Sequence, residues 1–266
     1  MHDARLRKEP DLQLGNEQLE IVDMTEVSDD KILLTDKNKR KLILLDTKTD
    51  AVLSEIVLKD KPLFICMVDT NQVATTLANR KIQFLNIQDT KLMIDSILDL
   101  DVYVMGIDKS LSNLVVAFED KNIGVKIISK KDGAQIHNLD NTTAGRKVFK
   151  HPRWIATTSD DSIYVTDWGT HTIIRLDASL TFIQMFSGAM LNVPCGIIAL
   201  NRDQLLVCSR DNNSIVLIRP STNSMTVLLD KQHGIKSPKS LCFSTEQKLY
   251  VASTGKTTSV LVYKLT

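Results

Sequence analysis

The residue types that most often carry catalysis are scattered through this chain of 266 residues. The five histidines lie in different regions, and the four cysteines include no C-x-x-C pair of the kind that binds zinc. Neither a phosphate-binding glycine loop nor an H-E-x-x-H or G-x-S-x-G motif is present. The sequence therefore predicts a chain without enzymatic activity, with no catalytic residue, no metal ligand and no cofactor.

Two aspartates occupy positions from which a carboxylate could act. Asp36 and Asp167 each end an apolar run directly before a polar turn. They could form an acid–base pair, but aspartate at such a position more often accepts hydrogen bonds from the following turn, and we favour that interpretation. Trp168 lies in the second of these turns, where it is a candidate for partner contact as much as for a structural role. Trp154 lies in an apolar run and is expected in the core.

A pattern repeated six times organises these residues. Each copy is an apolar run, a small residue, a polar turn and a second apolar run. Successive copies start 41, 41, 49, 42 and 44 residues apart. A period of this length, with only strand-like segments inside it, is typical of a propeller with four-stranded blades. We therefore expect an all-β, six-bladed β-propeller of antiparallel blades. The copies start at Lys31, Gln72, Asn113, Ser162, Gln204 and Lys248.

The whole chain, 1–266, is expected to form one such domain. The last repeat lacks a fourth strand, since the chain ends directly after VLVYKL. Residues 11–18 are therefore predicted to become the outer strand of the last blade, which closes the ring and covers two sheet edges. The blades should cover approximately 21–59, 60–100, 101–140, 150–190, 192–232 and 236–266.

Small residues at the fifth position of every repeat suit the crowded interior of a propeller. They are Thr35, Thr76, Ala117, Thr166, Cys208 and Ala252. The cysteines are expected to be buried and reduced. The N-terminus has no signal-peptide pattern, and no apolar run approaches membrane-spanning length. We therefore expect a cytoplasmic chain that does not contact membranes, monomeric as an isolated domain.

The stretch HPRWIATTSDDSIYVTDWGTHTIIRLD, from His151 to Asp177, resembles the NHL repeat. The next blade repeats the pattern in VPCGIIALNRDQLLVCSRDNNSIVLI, whereas the first three blades match it more loosely and glycine is scarcer than usual. A lone six-bladed NHL domain is similar to the C-terminal domain of tripartite-motif proteins, whose RING, B-box and coiled-coil ubiquitin-ligase module precedes the propeller. The resemblance implies that this chain is the substrate- or RNA-recognition end of a larger ubiquitin ligase.

The net charge of +1 conceals an asymmetry between the two sides of the disc. Loops between second and third strands and connections between blades lie on one side, here named the lower face, and the other loops lie on the upper face. Summed by loop, the lower face carries 18 basic and 10 acidic residues, a balance of +8, and the upper face −6. A positive face attracts polyanions and acidic peptides. The residues predicted to bind a partner are Lys39, Arg40, Arg80, Lys81, Lys147, Lys150, Arg153, Trp168, His171 and Arg210.

These features predict a non-enzymatic recognition or scaffold propeller whose lower face binds single-stranded RNA or an acidic protein segment, and both partners remain open at this point. The alternative is a metal-dependent lyase- or lactonase-type propeller with a site in the central channel. Such a site needs several His, Glu or Asn side chains at the axis-facing ends of inner strands. At those positions the sequence is expected to place Val, Ile, Leu, Thr and Ala. A scaffold that recruits ubiquitination substrates through its rim is a third possibility.

Overall fold

The structure, a computed structural model, describes residues 6–15, 17–119, 123–140, 142–143 and 146–265; for residues 140, 142, 143, 146 and 147 it describes the backbone alone. Nearly all regular structure is β-strand, with two single-turn 3₁₀ helices at Pro220–Thr222 and Lys231–His233. Within these ranges no helix has the length and apolar character needed to cross a membrane.

Six four-stranded antiparallel sheets form the blades, which confirms the predicted fold class. The first strand in the chain is β1 (Leu6–Gln13). Blade 1 contains β2 (Ile21–Ser28), β3 (Lys31–Asp36), β4 (Lys41–Asp46) and β5 (Val52–Val57). Blade 2 contains β6 (Pro62–Asp69), β7 (Gln72–Leu77), β8 (Lys81–Gln88) and β9 (Lys91–Asp99). Blade 3 contains β10 (Val104–Ser110), β11 (Asn113–Phe118), β12 (Gly124–Ile128) and β13 (Gln135–Asp140).

A short hairpin of β14 (Thr142–Thr143) and β15 (Arg146–Lys147) connects blades 3 and 4. Blade 4 contains β16 (Pro152–Thr157), β17 (Ile163–Asp167), β18 (Thr172–Leu176) and β19 (Phe182–Phe186). Blade 5 contains β20 (Pro194–Asn201), β21 (Gln204–Ser209), β22 (Ser214–Arg219) and β23 (Ser224–Leu229). Blade 6 contains β24 (Pro238–Phe243), β25 (Lys248–Ser253) and β26 (Ser259–Leu265), with β1 outside them. The innermost strands β2, β6, β10, β16, β20 and β24 contact one another in a closed ring.

The N-terminal segment closes the ring, as predicted, but it lies earlier in the sequence than residues 11–18. Strand β1 pairs antiparallel with β26, from Leu6 opposite Leu265 to Gln13 opposite Ser259. The seven residues of β26 need a partner of similar length. The strand ends before Gly15, whose φ of +76° departs from extended backbone. Closure therefore covers the edge of β26 and ties together the two ends of the chain.

Leu12 tests how much this closure contributes to stability. Its side chain is 3% exposed and packs in the cluster between blades 6 and 1. We expect Leu12→Ala to lower the free energy of unfolding by about 2 kcal/mol, since it leaves a cavity in that cluster. Urea denaturation measures the change. Gln13→Ala, at the exposed neighbouring position, is the control and should change stability little. Equal stability of the two variants would contradict a stabilising role for β1.

Hydroxyl groups in the column of small residues hold neighbouring blades together. Thr35 Oγ1 accepts a hydrogen bond from Asp23 N (2.9 Å) and donates one to the carbonyl oxygen of Leu63 in blade 2 (3.0 Å). Thr76 Oγ1 likewise donates to the carbonyl oxygen of Met105 in blade 3 (2.9 Å). These positions are therefore small for lack of space and, at Thr35 and Thr76, also polar for bonding between blades.

Every inner strand contains a β-bulge opposite this column. In blade 1, Ile21 pairs with Asp36 and Met24 with Leu34, so that two residues lie opposite Thr35. The same shift occurs in the other five inner strands. A bulge bends its strand and redirects the side chains beside it. The bulge residues nearer the lower face are Val22, Leu63, Met105, Arg153, Cys195 and Lys239, and those nearer the upper face are Asp23, Phe64, Gly106, Trp154, Gly196 and Ser240.

Candidate functional site

The lower face carries the basic loops that the sequence places there. In blade 1, backbone hydrogen bonds join the turn between the second and third strands to the connections on either side of the blade. Lys37 N donates to Glu20 O (3.1 Å), and Leu58 N donates to Arg40 O (2.7 Å). Arg40, Arg80 and His171 occupy the left-handed position of their turns, with φ of 57°, 67° and 58°. Their side chains are exposed. The side chain of Lys147 lies outside the described residues.

Several predicted contact residues are held in ion pairs. Lys39 pairs with Glu17, Lys81 with Asp99 (2.6 Å) and Arg210 with Asp211 (2.9 Å). Exposed pairs contribute little to stability, but they neutralise charge on the surface. Glu17 and Glu20, in the connection from β1 to β2, also belong to this face, but they are not among the 10 acidic residues that the sequence analysis assigns to it. Including these two acids lowers the sequence-based balance from +8 to +6.

Other basic residues of the lower face remain exposed and outside any ion pair among the described residues. Arg40, Lys61, Lys150 and Lys236 belong to this group. They are distributed over the lower face, since Arg40 lies in a turn of blade 1 and Lys61, Lys150 and Lys236 lie in the connections leading into blades 2, 4 and 6. Their charge is available to a ligand that reaches the face.

A planar cluster lies at the end of blade 4. The His151 imidazole stacks on the Trp168 indole with ring centroids 4.8 Å apart and planes 27° from parallel. The Arg153 guanidinium lies 4.9 Å from the Trp168 ring centroid. Glu119 bonds the Arg153 guanidinium (3.4 Å) and lies 3.3 Å from His151 Nδ1. Lys150 is exposed beside them. The side chains of His151, Arg153 and Trp168 thus form one continuous surface.

Asp167 supports this cluster from beneath. It is fully buried, and its Oδ1 accepts hydrogen bonds from His151 N (3.0 Å), Gly169 N (2.9 Å) and Thr170 N (3.1 Å). Asp36 accepts equivalent bonds in blade 1. The turn-capping interpretation of both aspartates is confirmed. His171 Nδ1 accepts a hydrogen bond from Val193 N (2.9 Å), so its ring also joins blade 4 to blade 5.

Positive charge extends into the lower mouth of the channel. Arg153 and Lys239 are the basic members of the lower ring of bulge residues, with Cys195 between them in blade 5. Burial raises the pKa of Cys195 to about 11. The positive charges of Arg210, Arg153 and Lys239 lower this pKa, but their effect is smaller than that of burial. Burial lowers the pKa of Lys239. All four cysteines are buried and unpaired, as predicted. Cys195 is therefore a thiol beneath a basic rim.

The upper half of the channel differs from the prediction. It encloses a cavity of about 460 Å³ whose walls include Asp23, Asp108, Phe64 and Trp154. Only Val, Ile, Leu, Thr and Ala were expected here, and this was wrong, because the bulge redirects Asp23 toward the axis. A polar residue inside each apolar run, IVDMTEV and VYVMGID, was the available sequence signal.

Both channel aspartates are engaged with neighbouring blades. Asp23 accepts hydrogen bonds from Ser240 Oγ (2.7 Å) and Ile65 N (3.2 Å), and Asp108 accepts one from Thr157 N (2.7 Å). Burial raises the pKa of Asp23 to about 7 and that of Asp108 to about 6, although these bonds oppose the shift. Among the described residues no group of three or more His, Cys, Asp or Glu could hold a metal ion.

Comparisons with known proteins support the fold but indicate no function. No protein-family model matches this sequence, and no curated protein matches it. A solved structure titled "Streptogramin B lyase structure" shares 14% sequence identity with this chain, covers all of both chains and superposes with a TM-score of 0.70. A functionally unknown protein from Desulfotomaculum acetoxidans DSM 771 shares 15% identity over 83% of this chain and 72% of its own, with a TM-score of 0.61. At such identities the likeness supports a six-bladed β-propeller and nothing finer.

Proposed function

We propose that this propeller is a non-enzymatic recognition module that binds single-stranded RNA on its lower face. The observation that carries the proposal is the planar cluster of His151, Arg153 and Trp168 beside exposed basic residues that have no ion-pair partner in the described part of the chain. Bases of unpaired RNA stack on aromatic rings and guanidinium planes, while lysine and arginine neutralise the phosphates.

The cluster favours RNA over an acidic peptide as the partner. The side chains of His151 and Arg153 are 39% and 32% exposed, so a flat base can approach one ring edge or the guanidinium. A carboxylate would compete with Glu119, which already bonds Arg153. Lys239 and Arg153 at the channel mouth add positive charge at the centre of the face.

The resemblance of blades 4 and 5 to the NHL repeat agrees with such a role. By that resemblance, the chain supplies the recognition end of a larger cytoplasmic ubiquitin ligase of the tripartite-motif type. These statements form part of the proposal, since no family model matches the chain.

Charge reversal tests the proposed face. We expect Arg40→Glu, Lys61→Glu and Lys150→Glu together to weaken binding of a fluorescent single-stranded RNA of about 12 nucleotides by about tenfold or more, because each reversal removes a cation near the phosphates. Fluorescence anisotropy at about 50 mM and about 200 mM salt measures affinity and its salt dependence, which should be steep for the wild type and shallower for the variant.

Reversal of Lys131 and Arg202, exposed on the upper face, is the matched control and should leave RNA affinity nearly unchanged. A glutamate-rich peptide, assayed in parallel, tests the protein alternative. If the peptide binds and RNA does not, and if reversal of the three lower-face charges abolishes peptide binding, then the lower face is the binding site but the partner is an acidic protein segment. RNA affinity insensitive to these reversals would overturn the proposal.

A metal-dependent lyase- or lactonase-type site in the channel has less support. It would need several ligands that converge on one ion. The channel contributes Asp23 and Asp108, but the described residues contain no group of three or more His, Cys, Asp or Glu that could hold a metal ion.

A further inference from the structure

The cavity in the upper half of the channel has an unbalanced charge. Asp23, Glu26 and Asp108 line it, and no lysine, arginine or histidine occurs among its described lining residues. Its volume of about 460 Å³ lies within the range of small-molecule sites in proteins. A buried carboxylate without a compensating cation is unfavourable, so this cavity suits a positively charged occupant.

The carboxyl groups of Asp23 and Asp108 line the same cavity. Asp23 lies at the bulge of blade 1, and Asp108 lies near the upper end of the inner strand of blade 3. The charge of Asp108 raises the pKa of Asp23, which adds to the larger effect of burial. Since both side chains line this cavity, a cation bound between them would relieve their mutual repulsion.

Trp154 supplies an independent indication of a ligand. Its side chain is 6% exposed, lines the cavity, and meets Phe64 of blade 2 edge to face with ring centroids 5.0 Å apart. Its Nε1 is buried and has no hydrogen-bond partner among the described residues. An indole N–H can only donate a hydrogen bond, so the unfilled partner must be an acceptor. A buried donor without an acceptor is costly unless something else supplies it.

We propose that this cavity binds a small organic cation, a protonated amine that carries a hydroxyl group, whose ammonium is held by Asp23 and Asp108 and whose oxygen accepts the hydrogen bond of Trp154. The apolar walls contributed by Phe64 and Ile198 fit the carbon skeleton of such a compound.

The experiment compares three probes of similar size. They are 2-amino-1,3-propanediol, which has both the ammonium and the hydroxyl groups; glycerol, which lacks the charge; and propylamine, which lacks the hydroxyl groups. Titration calorimetry in a phosphate buffer at about pH 7.5 keeps all competing amines out, and at that pH the channel carboxyls are largely ionised. We expect saturable binding of the amino diol and at least about tenfold weaker binding of glycerol.

Variants locate the binding within the channel. Asp23→Asn and Asp108→Asn should each weaken binding of the amino diol about tenfold, since each removes one charge-assisted hydrogen bond. Trp154→Phe retains the ring and removes the donor, so it should weaken the amino diol about threefold or more and leave propylamine unchanged. Asp95→Asn, at an exposed site on outer strand β9, is the matched control and should have no effect.

Each contrary result has a definite meaning. Equal binding of glycerol and the amino diol would overturn the role of the carboxylates. Binding that is unchanged in the Asp23→Asn/Asp108→Asn double variant, or absent for all three probes at about 50 mM, would overturn the site. Circular dichroism of each variant confirms that a loss of binding is not a loss of folding.

Discussion

We expect Gly106→Ala to lower the free energy of unfolding by about 3 kcal/mol, the upper part of the range for overpacked sites. A Cβ atom at Gly106 would lie 1.8 Å from the Arg153 carbonyl oxygen and 2.8 Å from its carbon. Both are backbone atoms of β16, so they cannot turn aside as the end of a side chain can. The inner strands of blades 3 and 4 would have to separate. Thermal denaturation should show a fall in Tm of roughly 6–12 °C.

Gly169→Ala is the matched control for this variant. The nearest atoms to a Cβ there belong to side chains, His151 Cδ2 at 2.5 Å and Lys150 Cδ at 3.1 Å, and these side chains, which are at least partly exposed, can shift more easily than a backbone can. We expect a cost of less than about 1 kcal/mol. A Gly106→Ala protein as stable as Gly169→Ala would show that blades 3 and 4 are not in such close contact. Because the Arg153 backbone lies against Gly106, the substitution also tests whether lower-face binding depends on this spacing.

The second large effect concerns pH. We expect Asp23 to make the wild type less stable relative to Asp23→Asn as pH rises from about 4 to about 7, by as much as about 4 kcal/mol. The folded-state pKa of Asp23 is raised to about 7 from an ordinary 3.8, so between these values the folded chain binds a proton that the unfolded chain releases. Its stabilising contribution is complete below the unfolded pKa and is lost as pH rises through the folded one. Asp108, with a pKa of about 6, should behave in the same way over a narrower window.

Urea denaturation of wild type and Asp23→Asn across this pH range measures the difference. Asparagine preserves an acceptor for Ile65 N and can donate to Ser240 Oγ, so the variant should fold. Asp177→Asn is the control. Hydrogen bonds from Thr181 N and Ser179 N hold the pKa of Asp177 below its usual range, so its profile should run parallel to that of the wild type above about pH 5. A parallel profile for Asp23→Asn would instead mean that Asp23 is not desolvated.

The turn aspartates show where local sequence is enough. Asp36 and Asp167 bond to backbone N–H groups two and three residues ahead in the following turn. Such contacts depend on sequence neighbours and on turn geometry, both of which the sequence contains. The lower-face charges are different, because their neutralisation joins distant segments: Lys39 pairs with Glu17, 22 residues away, and Arg153 with Glu119, 34 residues away.

The channel shows that the sequence pattern of a strand does not always predict which way its side chains point. A two-residue alternation assigns side chains to faces only while the register is regular. The bulge in every inner strand places two residues opposite one, and from that point the assignment changes. Asp23 and Trp154 consequently line a cavity that the apolar pattern of their strands did not predict.

The amino-acid sequence by itself determined the number of blades, their four-stranded form and the use of an N-terminal strand for closure, because the periodic alternation of apolar runs and turns specifies strands and their order. Only the tertiary structure decided which side chains meet at the axis and which charges on the lower face remain unpaired. Those outcomes depend on bulges and on the approach of neighbouring blades to within a few ångströms, as at Gly106 and Arg153, and such distances arise only when the ring is closed.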